Sequence, residues 1–220
     1  MLLLVLSLFV QVAAAEVQSV QLRTFEDDKI GAPPPGFVTA TGRDAAADGW
    51  AVRREAPGRV LVHQGAPSPR DGFAVAIFSG AQYHDVQVSV RLKATGGARS
   101  AGVVWKYQDP LNHYVALLDL VQQELAVYRV SSGNRIRLER EDDLEVDPDA
   151  WHSLKIFQEQ GEIRVYLGGI RVFAERDRHS RGAPSSVGVW SSGDTTVMFD
   201  DFRIEDETED TPPAPATKKQ

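Results

Sequence analysis

Val86-Gln87-Val88-Ser89-Val90-Arg91-Leu92 alternates apolar and polar side chains without a break. Successive side chains of a strand point to opposite faces, so this stretch reads as a β-strand with one face on a core and the other in water. Glu162 to Leu167 repeats the pattern, with Ile163, Val165 and Leu167 facing inward and Arg164 and Tyr166 outward. Outward from these two, strand-like runs cover Trp50 to Val52, Arg59 to His63, Phe73 to Phe78, Ala101 to Tyr107, His113 to Leu120 and Glu124 to Val130. They continue at Arg135 to Arg140, Trp151 to Phe157, Ile170 to Ala174, Val187 to Trp190 and Thr195 to Ile204. Tight-turn sequences separate them: Gly96-Gly97, Ser132-Gly133-Asn134, Gln160-Gly161 and Ser192-Gly193-Asp194, while Gly168-Gly169 predicts a two-residue hairpin. No segment carries a 3.6-residue apolar stripe. Many short strands joined by Gly-rich turns predict an all-β fold, an antiparallel sandwich or barrel.

The final run carries a phase change. Val197 and Phe199 share one parity, Phe202 and Ile204 the other, and a one-residue slip flips every following side chain to the opposite face. An extra residue accommodated as a bulge at Asp200-Asp201 lets all four apolar side chains face the same core, and re-aims both carboxylates.

The ends differ from the middle. Leu2 to Val12 is apolar apart from Ser7 and Gln11 and leads into Ala13-Ala14-Ala15, so residues 1–15 read as a cleaved signal peptide. The run is too short to span a bilayer, which takes about 20 residues. Ala32-Pro33-Pro34-Pro35-Gly36 reads as a rigid connector. The stretch from Glu205 crowds acidic residues, then Pro, Ala and Lys, without a large apolar side chain. The expected organisation is a signal peptide over 1–15, one β-sandwich domain over 16–205 and a disordered acidic, Pro-rich tail over 206–220. An address in the periplasm or beyond follows.

Composition narrows the functions. A formal charge of -7 argues against a nucleic-acid partner, which normally demands a basic face, and gives no support for an anionic membrane surface. With no cysteine among the 220 residues, disulfides, thiolate metal sites and thiol nucleophiles are excluded. His63, His84, His113, His152 and His179 show no paired metal spacing, and each is expected as an exposed strand or loop residue. There is no Gly-x-Ser-x-Gly elbow and no P-loop.

From Phe25 onward the chain resembles the bacterial glycoside-hydrolase-16-like, or 3-keto-disaccharide hydrolase, domain family, a group of concanavalin A-like (laminin-G-like) jelly rolls. The likeness rests on Phe25-Glu26-Asp27-Asp28-Lys29-Ile30-Gly31 with Pro35-Gly36-Phe37, and on Ala101-Gly102-Val103-Val104-Trp105-Lys106-Tyr107 with Asp109 and Asn112-His113-Tyr114. Tyr128-Arg129-Val130, Trp151-His152-Ser153-Leu154, Gly188-Val189-Trp190 and the closing Phe199-Asp200-Asp201-Phe202 complete it. The resemblance implies two packed antiparallel sheets, one concave. It also implies a basic and a polar residue on the strand after Asn112-His113-Tyr114, where this chain has Leu117 and Asp119.

Sugars are held by aromatic faces against their C–H surfaces and by planar polar groups on their hydroxyls. With the family's arrangement, that chemistry assigns ligand binding to Trp105, Lys106, Tyr107, Asp109, Asn112, Tyr114, Asp119, Trp190 and Asp194. For Trp105 and Trp190 a plain core role is the alternative, and Trp50 and Trp151 read as core or sheet-edge residues. Because terminal strands commonly pair in this fold, Asp27 or Asp28 is expected to meet Asp200 or Asp201. Carboxylates converging there without basic neighbours would suit a structural Ca²⁺; caps on a bulge are the alternative.

Glu141-Asp142-Asp143-Leu144-Glu145 matches the Glu-x-Asp-x-Glu spacing of family-16 hydrolases, but lacks the apolar flanks and reads as a solvated acidic edge. The leading expectation is a non-catalytic, exported, lectin-like module that binds a glycan or glycosylated surface. A glycoside or 3-keto-glycoside hydrolase, with Asp109 and Asp119 as acid/base candidates, is the alternative. A structural or adhesion module with a protein partner is the third.

Overall fold

A computed structural model of the chain describes residues 20–41, 49–65 and 72–206. The expected signal peptide and the acidic tail beyond Asp206 lie outside these residues. Within them the fold is two antiparallel sheets face to face, a jelly-roll sandwich.

The first sheet, of eight strands, runs in the order β13 (Ile170–Arg176), β12 (Glu162–Leu167), β11 (His152–Glu159), β6 (Val86–Gly96), β15 (Thr196–Asp206), β4 (Gly58–His63) and β3 (Trp50–Glu55), with β1 (Val20–Arg23) also lying along β15. The second, of seven, runs β10 (Asn134–Glu141), β9 (Glu124–Ser131), β8 (Asn112–Asp119), β7 (Ser100–Asp109), β14 (Ser185–Ser192), β5 (Phe73–Tyr83) and β2 (Phe37–Thr41). Three of the expected turns are two-residue hairpins with both residues at positive φ. They are Ser132-Gly133 (49° and 78°), Gln160-Gly161 (45° and 87°) and Gly168-Gly169 (58° and 83°). That left-handed pair matches the twist of the strands it joins.

β1 and β2 were not expected. In β1 the apolar side chains point outward, Val20 being 49% and Leu22 54% exposed, so periodicity gives no inward stripe. β2 follows the Pro-rich connector and carries apolar residues on both faces. Phe37 packs on the rings of Phe25, Phe78 and Phe202, whereas Val38 is exposed.

The core fills the space between the sheets with Leu61, Leu92, Trp105, Leu118, Leu125, Leu154, Ile156, Ile163, Phe199, Phe202 and Ile204, all fully buried. Each such side chain contributes on the order of 1.5–3 kcal/mol by leaving water. The bulge in β15 makes part of this possible. Asp200 opposes Arg91 and Arg203 opposes Ser89, so β15 holds one residue more than β6 across that step, and Asp201 takes φ 49°. Val197, Phe199, Phe202 and Ile204 therefore all face inward, as the phase change predicts. The bulge also divides the far edge of β15, with β4 pairing Val197 to Phe199 and β1 pairing Phe202 to Glu205.

A second phase shift sits in β7. Trp105 opposes Tyr114 and Asp109 opposes Asn112, leaving two surplus residues on β7, and Lys106 takes φ 48°. Trp105 thus enters the inter-sheet core, while Tyr107 emerges on the outer face of the second sheet.

Deleting Asp201 should cost more than about 4 kcal/mol in urea unfolding, because Phe202 and Ile204 would turn away from the core. Asp201→Gly should stay within about 1 kcal/mol of the parent, since relief of the left-handed backbone offsets loss of an exposed ion pair.

Candidate ligand-binding groove

The second sheet is apolar on both sides. Its inner face belongs to the core, and its outer face carries a separate cluster of Ala40, Val75, Ile77, Val104, Val115, Leu117 and Trp190, with Phe73, Tyr107 and Tyr128 packed on it. Strand alternation generates this face. In β8 the odd positions His113, Val115, Leu117 and Asp119 point out, while Tyr114, Ala116 and Leu118 point to the core. In β9 Glu124, Tyr128 and Val130 share the outer side, and Leu125 and Val127 the inner.

Across this face lies a groove of about 610 Å³, lined by residues from β5, β14, β7, β8, β9 and β10. Trp190, only 6% exposed, forms its floor and stacks under Phe73, with ring centroids 5.7 Å apart. Tyr128 lies on the β9 side, and the Arg135 guanidinium stands 3.8 Å above its ring and 5.8 Å from that of Trp190. Asp119 and Glu124 line the groove as directly opposed cross-strand partners. Both carboxylates are engaged. Asp119 accepts from the backbone N–H of Val121 and Gln122 at 3.0 and 2.8 Å, and Glu124 pairs with Arg140 at 3.1 Å.

His113 is the unusual member. It is 2% exposed, wedged 5.4 Å from the ring of Phe73 and 5.8 Å from that of Tyr107, and neither ring nitrogen has a hydrogen-bond partner. Burial pushes its pKa down to about 4, with the Asp109 backbone carbonyl and carboxylate working against that and the charge of Arg135 adding to it. The imidazole is therefore neutral at pH 7, with both nitrogens shielded from solvent although the residue lines the groove.

Of the residues assigned from sequence, Trp190 and Asp119 line this groove, and Asp194 supports it by accepting from the hydroxyl of Ser192 at 3.1 Å. Tyr107 neighbours His113 but lines a second depression of about 390 Å³ on the same face. The others are elsewhere. Trp105 is wholly buried in the inter-sheet core, against Tyr114. Tyr114 points inward, and its hydroxyl donates to Asp177 at 3.1 Å. Burial alone would raise the pKa of Asp177, but bonds from the His179 backbone and ring and from Tyr114, with the charge of Arg129 3.2 Å away, hold it below the usual range. Lys106 turns aside to the carbonyl of His84, in a separate cavity with Asp85 and Arg181. Asp109 and Asn112 build the β7–β8 turn. Asp109 accepts from Leu111 N and from the Asn112 amide, and Asn112 accepts from Ser132 N at 3.0 Å. The sequence reading thus placed Trp105 and Tyr114 on the wrong side of the sheet, because it did not fix the parity of β7 and β8.

Phe73, His113, Glu124, Tyr128 and Arg135 were missed. The available signal was parity: His113 and Asp119 are the polar odd positions of an otherwise apolar β8. Two histidines also depart from the expectation of exposure. His113 is one; His63 is the other, buried between Ser191 Oγ at 3.0 Å and the Thr195 carbonyl at 3.1 Å.

The terminal strands do pair, but three of the four aspartates meet arginines. Asp28 lies 3.6 Å from Arg23, and Arg91 reaches Asp201 at 3.3 Å and Asp200 at 3.9 Å, while Asp27 is exposed. The premise of the calcium reading, carboxylates without basic neighbours, does not hold. Among the described residues no group of three or more His, Asp or Glu is arranged to hold a metal ion. Glu141 to Glu145 forms no strand face either: β10 ends at Glu141, and Asp142 pairs with Arg140. Among the described residues no helix is long and apolar enough to cross a membrane.

No family model matches the chain, and no curated protein matches it. Solved structures do. Carbohydrate-binding module CBM66 from Bacillus subtilis is 17% identical with a TM-score of 0.58, over 76% of this chain and 95% of that one. Domain 4 of AbnA, an extracellular GH43 arabinanase from Geobacillus stearothermophilus solved with arabinotriose, is 14% identical with a TM-score of 0.56, over 85% and 93%. Xylan β-1,4-xylosidase from Bacillus halodurans is 15% identical with a TM-score of 0.58, over 90% of this chain but 41% of that one. At these identities the likeness is one of fold, and the fold it shows is the concanavalin-like jelly-roll sandwich.

Proposed function

We propose that this protein is an exported glycan-binding module whose ligand lies in the outer groove of the second sheet. The observation that carries this reading is the groove itself, about 610 Å³, floored by Trp190 and flanked by Phe73, Tyr128 and Arg135. Phe73, Tyr128 and the Trp190 floor supply the apolar faces on which pyranose or furanose C–H surfaces pack. The fold likeness to a carbohydrate-binding module and to an arabinanase domain supports the same reading.

A hydrolase is the second reading, favoured by Asp119 and Glu124 standing opposite each other in the groove. A glycosidase needs two carboxyl groups free to act on the scissile bond. Here one caps a turn and the other is paired with Arg140, so binding without turnover fits better.

Glycan retention and sugar release should be measured on the same samples. Tyr128→Ala should weaken retention at least roughly tenfold, while the melting temperature stays within a few degrees. Trp105→Ala should instead destabilise by about 3–5 kcal/mol, acting only through the core. Release that disappears in Asp119→Asn would establish the hydrolase.

The depressed pKa of His113 also fixes a pH dependence. Between its folded value of about 4 and its ordinary value of 6.5 the unfolded chain binds the extra proton. Stability is therefore full above pH 6.5 and should fall by up to about 3 kcal/mol as pH drops toward 4. Urea midpoints against pH should show this fall, and His113→Phe should flatten it, leaving the smaller share due to buried His63.

A further inference from the structure

Resting on the glycan-binding reading, we propose that the ligand is an acidic saccharide, and that Arg135 receives its carboxylate. The two carboxylates of the groove have their partners, Asp119 in the Val121 and Gln122 backbone and Glu124 in Arg140. Arg135 has none: among the described residues no carboxylate lies within ion-pair distance of it, although the chain as a whole carries a formal charge of -7.

Its guanidinium is nonetheless held in place. It rests 3.8 Å over the ring of Tyr128 and 5.8 Å from that of Trp190, cation–π contacts that favour this position. A planar fork of donors immobilised on an aromatic face is suited to bidentate contact with a carboxylate. Its charge also acts on neighbouring His113. Uronic-acid units combine these features: a ring with apolar faces, hydroxyls and one planar carboxylate. Arg135 stands on the exposed edge strand β10, so its replacement should leave the core intact.

The test is affinity electrophoresis of the protein at pH 7 through gels containing polygalacturonate, glucuronoxylan or alginate, each beside its carboxyl-reduced counterpart. At least one uronate polymer should bind roughly tenfold or more tighter than its reduced form, the worth of one charge-assisted contact. Arg135→Gln should erase that difference with an unchanged melting temperature, and Arg135→Lys should keep part of it. Equal binding to acidic and reduced polymers, discrimination that survives Arg135→Gln, or binding to neutral polymers alone would overturn the acidic ligand and leave the glycan-binding reading standing. Absence of binding to every polymer, acidic or neutral, would overturn both.

Discussion

Everything in this sandwich depends on strand phase. A side chain that faces the partner sheet must be followed by one that does not, so a strand can feed the core only while its apolar residues keep one parity. Two left-handed residues, Lys106 in β7 and Asp201 in β15, reset that parity within a strand. The reset at Asp201 keeps Phe199 and Phe202 in the same core although three positions separate them. The one at Lys106 does the opposite. It moves Tyr107 out of the core side, next to His113, after Trp105 has gone in. One local device thus serves packing in one sheet and shapes the face of the candidate groove in the other.

That face is unusual for a sheet surface. A sheet packed on one side is ordinarily polar on the other, yet here Val75, Ile77, Val104, Val115 and Leu117 make the outer side apolar as well. These side chains are nonetheless 8% exposed or less, because Phe73, Tyr107 and Tyr128 pack over them. The first sheet behaves ordinarily, with Arg91, Arg164 and Arg203 among its outward side chains.

The same double-sided character decided what could be read from the sequence. Apart from β1, the strands of the first sheet were legible because they are one-sided: Val86 to Leu92 and Glu162 to Leu167 alternate cleanly, and the bulge at Asp200-Asp201 shows as a parity break. Hairpins were legible because left-handed turns demand Gly in particular places. In β7 and β8, by contrast, both faces are apolar, so Ala101 to Trp105 and Tyr114 to Leu118 carry no period to say which way each residue points. The groove lies on those strands. Trp190 lies on the outer face and Trp105 in the inter-sheet core, a division that the apolar pattern of these strands does not show. Arg135 and Tyr128 come together only through the β9–β10 pairing, where Arg137 is the residue opposite Tyr128 and Arg135 reaches it diagonally.

The groove is built before any ligand arrives. Backbone N–H groups hold Asp119, Arg140 holds Glu124, Tyr128 supports Arg135, and Phe73 covers Trp190. Side chains fixed during folding lose little further freedom on binding, which favours affinity from a small number of contacts. His113 is fixed differently. Phe73 and Tyr107 hold its ring by packing alone, and both nitrogens lack partners. Trp105 Nε1 is bare as well, enclosed between the sheets. Both rings hold their places by packing, so what the groove would present to a ligand is its aromatic faces and Arg135 rather than these enclosed nitrogens.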